Sequence, residues 1–215
     1  MTTSTIYTFE REFASAGHIV GERLAQKLGI PFYDSQIVDL AAKNAGVNRK
    51  LFEGFDEKPT NSFLYSLVMG TYTAVNPVTQ SPSLNISDRL FAEEAEIIRK
   101  AADEGPCVIV GRCSSYILRD RPNVARIFVT ADMDFRIHHA VHDLGLPENR
   151  IEDEIGKRDK KRSNYFNYYT GQKWESASSY DLSVSTSKLG IDGAVEMVLA
   201  YGELLERLRA QAENT

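Results

Sequence analysis

Ile6-Tyr7-Thr8-Phe9-Glu10-Arg11-Glu12-Phe13-Ala14-Ser15-Ala16-Gly17-His18-Ile19-Val20 is the stretch whose reading decides the fold. Its first four residues are β-branched or aromatic, the composition of a short strand. Ala14 to Gly17 is a turn of small residues. Ile19, Val20, Leu24, Ala25 and Leu28 then recur at helical spacing until Gly29. The unit therefore reads strand, tight loop, helix. Ile30-Pro31-Phe32-Tyr33-Asp34 follows as a second short strand ending on a carboxylate. Ile37 to Asn44 reads as a second helix, stopped by Gly46.

Further along, Lys58 to Asp88 holds Pro59, Pro77 and Pro82 among Asn and Ser, and reads as an inserted flap. Phe63, Leu64, Leu67 and Val68 suggest one helix inside it. Arg89 to Ala102 is amphipathic, with Leu90, Phe91, Ala95, Ile98 and Ala102 on one face and Gly105-Pro106 as its stop. Cys107-Val108-Ile109-Val110 is a continuous apolar run, as a strand buried on both faces requires. Ala125 to Thr130 is a further strand and Met133 to Leu144 a further helix. Ile151 to Lys161 is a charged helix, Leu182 to Thr186 a last strand, and Ala194 to Leu208 a closing helix. Strands alternating with helices predict an α/β protein with a parallel sheet covered on both faces. The whole chain, 1–215, reads as one domain, with the flap at about 58–88 and a lid at about 151–180.

Composition narrows the function classes. The chain has 215 residues, 42% hydrophobic and 26% charged, with a net charge of -5, which excludes wholesale disorder. The acidic balance argues against a nucleic-acid polymer as partner. The apolar runs fall short of the roughly 20 residues a membrane span needs, so no membrane is expected. Cys107 and Cys113 follow neither zinc nor disulfide spacing and read as reduced thiols of a cytoplasmic protein.

In open parallel sheets ligands bind beyond the carboxyl ends of the strands. Three polar features fall there: the Ser15–Gly17 loop, Asp34 and Arg112. Small residues before a helix let backbone N–H groups approach an anion, and the helix N-terminus adds favourable partial charge. Against the phosphate-loop template G-x-x-x-x-G-K-[ST], the chain keeps Gly17 but has Glu12, His18 and Ile19 at the other defined positions. Ser15, Ala16, Gly17 and His18 are the candidate phosphate-binding residues. Arg158 and Arg162 are four apart on one helix face, as cations closing over a transferring phosphoryl group would be. His138, His139 and His142 lack a matching carboxylate or cysteine and read as surface histidines, so no resident metal site is expected. The aromatic set Tyr165, Phe166, Tyr168, Tyr169, Trp174 and Tyr180 reads as packing of a long connection or a homodimer contact, with base stacking or lid closure as the other reading. Phe63, Tyr65, Leu67, Met69 and Tyr72 read as flap or dimer surface.

Gly21-Glu22-Arg23-Leu24-Ala25-Gln26-Lys27-Leu28-Gly29 leading to Asp34, Val108 to Arg112, and Arg158-Asp159-Lys160-Lys161-Arg162 together resemble the cytidylate kinase-like family of P-loop nucleoside-monophosphate kinases. That resemblance implies a three-layer P-loop kinase fold with a five-stranded parallel sheet, and ATP and Mg2+ as cosubstrates. It implies CMP or dCMP as acceptor near Asp34, Arg112 and Arg136, with Arg158, Arg162 and Asp34 as catalytic residues. The chain departs from the family with Ala14 and Ala16 for glycines, His18 for lysine and Val20 near the place of a threonine. Pro31-Phe32-Tyr33-Asp34 also resembles the shikimate and gluconate kinases, so a small hydroxylated metabolite is the alternative acceptor. A catalytically weak nucleotide sensor is the alternative to an enzyme.

Overall fold

The computed structural model describes residues 3–34, 37 and 86–213. The expected second helix beyond Ile37, and the flap with its aromatic residues before Ile86, lie outside the described residues. Five strands form the sheet: β1 (Ile6–Arg11), β2 (Phe32–Tyr33), β3 (Val108–Val110), β4 (Val124–Thr130) and β5 (Leu182–Ser185). Their order is β2-β3-β1-β4-β5, and every pair is parallel. β1 lies in the middle, between β3 and β4, with Phe9 level with Val110 and Ile127. A central strand is covered on both faces, which is why Ile6, Tyr7, Thr8 and Phe9 are all buried.

Six α-helices are described: α1 (Gly17–Leu28), α2 (Ile86–Glu104), α3 (Ser114–Ile117), α4 (Met133–His142), α5 (Ile151–Thr170) and α6 (Thr186–Glu213). On one face of the sheet, Val20 and Leu24 of α1 and Val195 and Val198 of α6 meet Val108, Val110, Ile127 and Val129. On the other face, Ile98 of α2 and Leu118 meet Ile6, Ile109 and Val124. Those clusters are the two cores of a three-layer sandwich.

Two helices differ from expectation. The charged helix does not stop at Lys161; α5 runs on to Thr170 and ends at Gly171, whose φ of 67° is the left-handed stop that glycine supplies. Tyr165, Phe166, Tyr168 and Tyr169 are therefore helical rather than part of a connection. Aromatics are indifferent helix formers, but tertiary burial overrides propensity: Phe166 packs with Cys113, Phe128, Trp174 and Tyr180. The closing helix begins earlier than Ala194, at Thr186, and is broken at Gly190 (φ 67°, ψ 173°). No helix among the described residues is long and apolar enough to cross a membrane.

Candidate functional site

The chain leaves β1 at Arg11 and enters α1 at Gly17 through a loop with two left-handed residues, Ala14 and Ala16, both at φ 59°. That conformation costs an L-residue about 1–2 kcal/mol relative to glycine. The loop thus keeps, in alanine, a backbone that glycine adopts without strain. Neighbours hold it there. The Thr186 hydroxyl donates to the Ser15 carbonyl at 2.8 Å, and the Ser15 hydroxyl donates to the Glu12 carbonyl at 2.9 Å. Arg136 Nε donates to the Phe13 carbonyl at 2.8 Å, and the Phe13 N–H donates to Asp159 at 2.6 Å. Gly17 is needed for close approach: a Cβ there would lie 2.6 Å from Arg11 Cβ and 3.0 Å from Val129 Cβ.

The loop spends its carbonyls and the Phe13 and Ser15 amides on these anchors, but not the amides that follow. The N–H groups of Ala16, Gly17, His18 and Ile19 meet no acceptor among the described residues; the first amide of the helix to do so is that of Val20, on the Ala16 carbonyl at 3.0 Å. Four open donors at the positive end of a helix dipole make a cradle for an oxyanion.

Beside the cradle lies a cavity of about 250 Å3, lined by Glu10, Arg11, Asp34, Val110, Gly111, Arg112, Cys113, Arg162, Tyr165 and Phe166. His18 connects the two, with Nδ1 3.1 Å from the Asp34 carboxylate. The bond to Asp34 raises the imidazole above its usual pKa against the opposing pull of burial. For Asp34, burial pushes the carboxyl up, but the His18 bond and the charges of Arg11, His18 and Arg112 outweigh it and hold it below the usual range. Three successive left-handed residues, Gly111 (φ 78°), Arg112 (φ 56°) and Cys113 (φ 54°), turn the chain sharply after β3. That turn brings Arg112 into the cavity, where Nη1 lies 3.3 Å from the fully buried carboxylate of Glu94. The Tyr165 hydroxyl donates to the same carboxylate at 2.7 Å. Burial drives the Cys113 thiol well above its ordinary pKa, so it is not a nucleophile at neutral pH.

Helix α5 closes the cavity from above. Arg162 Nη1 donates to the Arg11 carbonyl at 3.0 Å, and its guanidinium lies over the Phe13 ring at 5.5 Å. Arg158 stacks closer on that ring, at 4.4 Å, while Nε is bonded to Glu154 at 2.8 Å. Of the residues singled out in the sequence, Asp34, Arg112 and Arg162 therefore meet in the cavity. Ala16, Gly17 and His18, with Ile19, form the adjoining cradle, whereas Ser15 has its amide and hydroxyl engaged on the Glu12 carbonyl. Arg158 stands beside Phe13 and does not line the cavity. Arg136 is buried behind the loop, bonded to Asp159, 3.5 Å from Glu12 and held to the Phe13 carbonyl. It is placed to brace the cradle from behind. His138 and His142 are exposed, but His139 is buried with Nδ1 2.7 Å from Asp143, which corrects its reading as a surface residue. No group of three or more metal-ligating side chains occurs among the described residues. Sequence reading missed Glu10 and Arg11 as cavity residues; Tyr165 and Phe166, for which base stacking or lid closure is one reading, line it as well. The one available signal was that two opposite charges continue the apolar run of β1 at its carboxyl end.

A parallel sheet of order 2-3-1-4-5 with an anion cradle after its first strand defines the class: a P-loop kinase fold. Solved structures share it. The shikimate kinase from Bacteroides thetaiotaomicron superposes with a TM-score of 0.53 at 12% identity, over 94% of this chain and 98% of that one. The gluconokinase from Sinorhizobium meliloti 1021 does so with a TM-score of 0.53 at 15% identity, over 98% and 99%. An uncharacterized protein from Eubacterium ventriosum ATCC 27560 is more similar, with a TM-score of 0.69 and 26% identity over 93% and 98%. No curated protein matches. The model of the cytidylate kinase-like family matches residues 6–188, and the chain belongs to that family.

Proposed function

We propose that this protein is a phosphotransferase that moves the γ-phosphate of ATP to a nucleoside monophosphate, CMP or dCMP. The observation that carries the reading is the adjacency of two sites. Four unengaged amides, at Ala16 to Ile19, are joined by the 3.1 Å His18–Asp34 contact to a cavity holding Arg112 and Arg162. The cradle takes the triphosphate; the cavity takes the acceptor phosphate, which Arg112 grips.

In the transfer, an oxygen of the acceptor phosphate donates a lone pair to the γ-phosphorus. The bond from that phosphorus to the β–γ bridging oxygen breaks, and its electron pair leaves with ADP. Arg162 within the cavity, and Arg158 beside it, offset the charge of the moving group. A phosphate dianion has no proton to lose, so no general base is needed. That suits Asp34, whose depressed pKa makes it a weak base, and leaves it to orient the acceptor. Magnesium bound with the triphosphate would supply neutralisation of phosphate charge, and Asp34 would be the carboxylate to hold it through a bound water.

The test is ADP release from ATP and magnesium over a panel of CMP, dCMP, UMP, AMP, GMP, shikimate and gluconate. Turnover with CMP or dCMP is expected. The compactness of the cavity favours a small hydroxylated acceptor as the second reading, and turnover confined to shikimate or gluconate would select it. A thermal shift with ATP and background turnover throughout would make the protein a nucleotide sensor instead.

A further inference from the structure

We infer that Arg11 is a phosphate-binding catalytic residue, the cation that holds the terminal phosphate of the donor where the cradle meets the cavity. This rests on the phosphotransferase reading above and adds a residue to it. Arg11 is the last residue of β1. Its stem passes directly against Gly17: an added Cβ there would lie 2.6 Å from Arg11 Cβ and 3.1 Å from Arg11 Cγ. Its head reaches the end of β3, where a Cβ on Gly111 would lie 2.5 Å from Arg11 Nη1. Two bare glycines, one at each end, thus clear a path for a single long side chain from the cradle to the cavity wall.

The other cations of the site are already engaged. Arg112 faces Glu94 at 3.3 Å, Arg162 is bonded to the Arg11 carbonyl, and His18 is turned to Asp34. The Arg11 guanidinium has neither a hydrogen bond nor an ion pair with any described residue. It is only partly exposed and lines the cavity. Asp34 lines the same cavity and feels the Arg11 charge, but its carboxylate is bonded to His18 and makes no ion pair with Arg11; an anion in the cavity would give this partly desolvated cation the close partner it lacks among the described residues. The planar fork of a guanidinium matches two oxygens of one phosphoryl group. Neither Arg112, reached from β3, nor Arg162, reached from α5, starts from the strand that carries the cradle.

The experiment measures binding of ATP, AMP and inorganic tripolyphosphate, each with magnesium, by calorimetry to wild type, Arg11→Met and Arg11→Lys. Circular dichroism checks each fold; methionine keeps most of the stem against Gly17. Arg11→Met is expected to lose about tenfold or more in affinity for ATP and tripolyphosphate, the worth of a charged hydrogen-bond pair. AMP affinity should move less than about twofold, and Arg11→Lys should lie between wild type and Arg11→Met. Arg11→Met binding ATP like wild type overturns the inference and leaves the phosphotransferase reading standing. An equal loss for AMP also overturns it, since Arg11 would then act on the loop rather than the terminal phosphate. Arg11-dependent binding of tripolyphosphate without any ATP binding supports the phosphate role and defeats the nucleotide donor. Should Arg11→Met not fold, Arg11→Lys decides: a selective loss of ATP affinity supports the inference, and unchanged affinity overturns it. If wild type binds none of the three compounds, both readings fall.

Discussion

Ala16→Gly is expected to leave stability nearly unchanged, although it removes a buried methyl group. Ala16 is only 5% exposed. Losing its methyl costs about 0.8 kcal/mol of burial. The freer unfolded chain costs about 0.7 kcal/mol more. Against these, relief of the left-handed backbone at φ 59° returns about 1.5 kcal/mol. The sum is close to zero. Ala25→Gly is the control: Ala25 is 2% exposed and lies within α1, where no strain is relieved. There the lost methyl and the helix penalty of glycine add to about 1.8 kcal/mol. Urea unfolding followed by circular dichroism should show a shifted midpoint for Ala25→Gly alone, at constant slope. In thermal unfolding the two variants should differ by about 4–7 °C for a chain of this size. An Ala16→Gly loss as large as that of Ala25→Gly would refute the claim that the cradle is held in a strained shape.

Gly17→Ala should fail where Ala16→Gly does not. Its Cβ meets Arg11 and Val129 at 2.6 and 3.0 Å, so a loss of about 1–3 kcal/mol in urea unfolding is expected, with weakened ATP binding. Asp159→Ala strips the bonded partner from Arg136, whose side chain is 6% exposed, and should cost about 3 kcal/mol; Asp159→Asn, which keeps an acceptor for the Phe13 amide, should cost less. The His18–Asp34 pair should make stability depend on pH. His18 is raised above 6.5, so its contribution is complete below that value and fades as pH climbs through the raised one. Asp34 is lowered from 3.8, so its contribution is present above that value and is lost as pH falls through the depressed one. The Tm gap between wild type and His18→Ala should therefore be larger at about pH 5.5 than at about pH 9. A gap that widens on the alkaline side would contradict the pairing.

The parts of the fold that were legible in the chain are those where burial dictates composition. Ile6 to Phe9 and Val108 to Val110 are buried on both faces, and an uninterrupted apolar run is the direct mark of that. Convergence of the loop, Asp34 and Arg112 followed from topology alone, because a parallel sheet gathers its strand ends on one side. Other features left no local mark. Alanine at 14 and 16 carries no sign that φ is positive, since the force holding it there comes from Thr186, Arg136 and Asp159, distant in the chain. Arg158 and Arg162 share a helix face by spacing, but only the position of Phe13 and Glu154 separates their roles. The length of α5 was obscured because its aromatic end is helical through contacts with Phe128 and Trp174, not through propensity.

Helix α5 is a ruler laid along the cradle and the cavity. One mark, Asp159, sits on the Phe13 amide, the next, Arg162, on the end of β1, and the third, Tyr165, on the carboxylate that faces Arg112. Cradle and cavity are thus gauged from a single rod. Inserting or deleting one residue between Asp159 and Tyr165 turns the later marks by about 100° relative to the earlier ones. Substitutions on the rod's outer side leave those three contacts in place, but its pitch between the three residues is pinned by them.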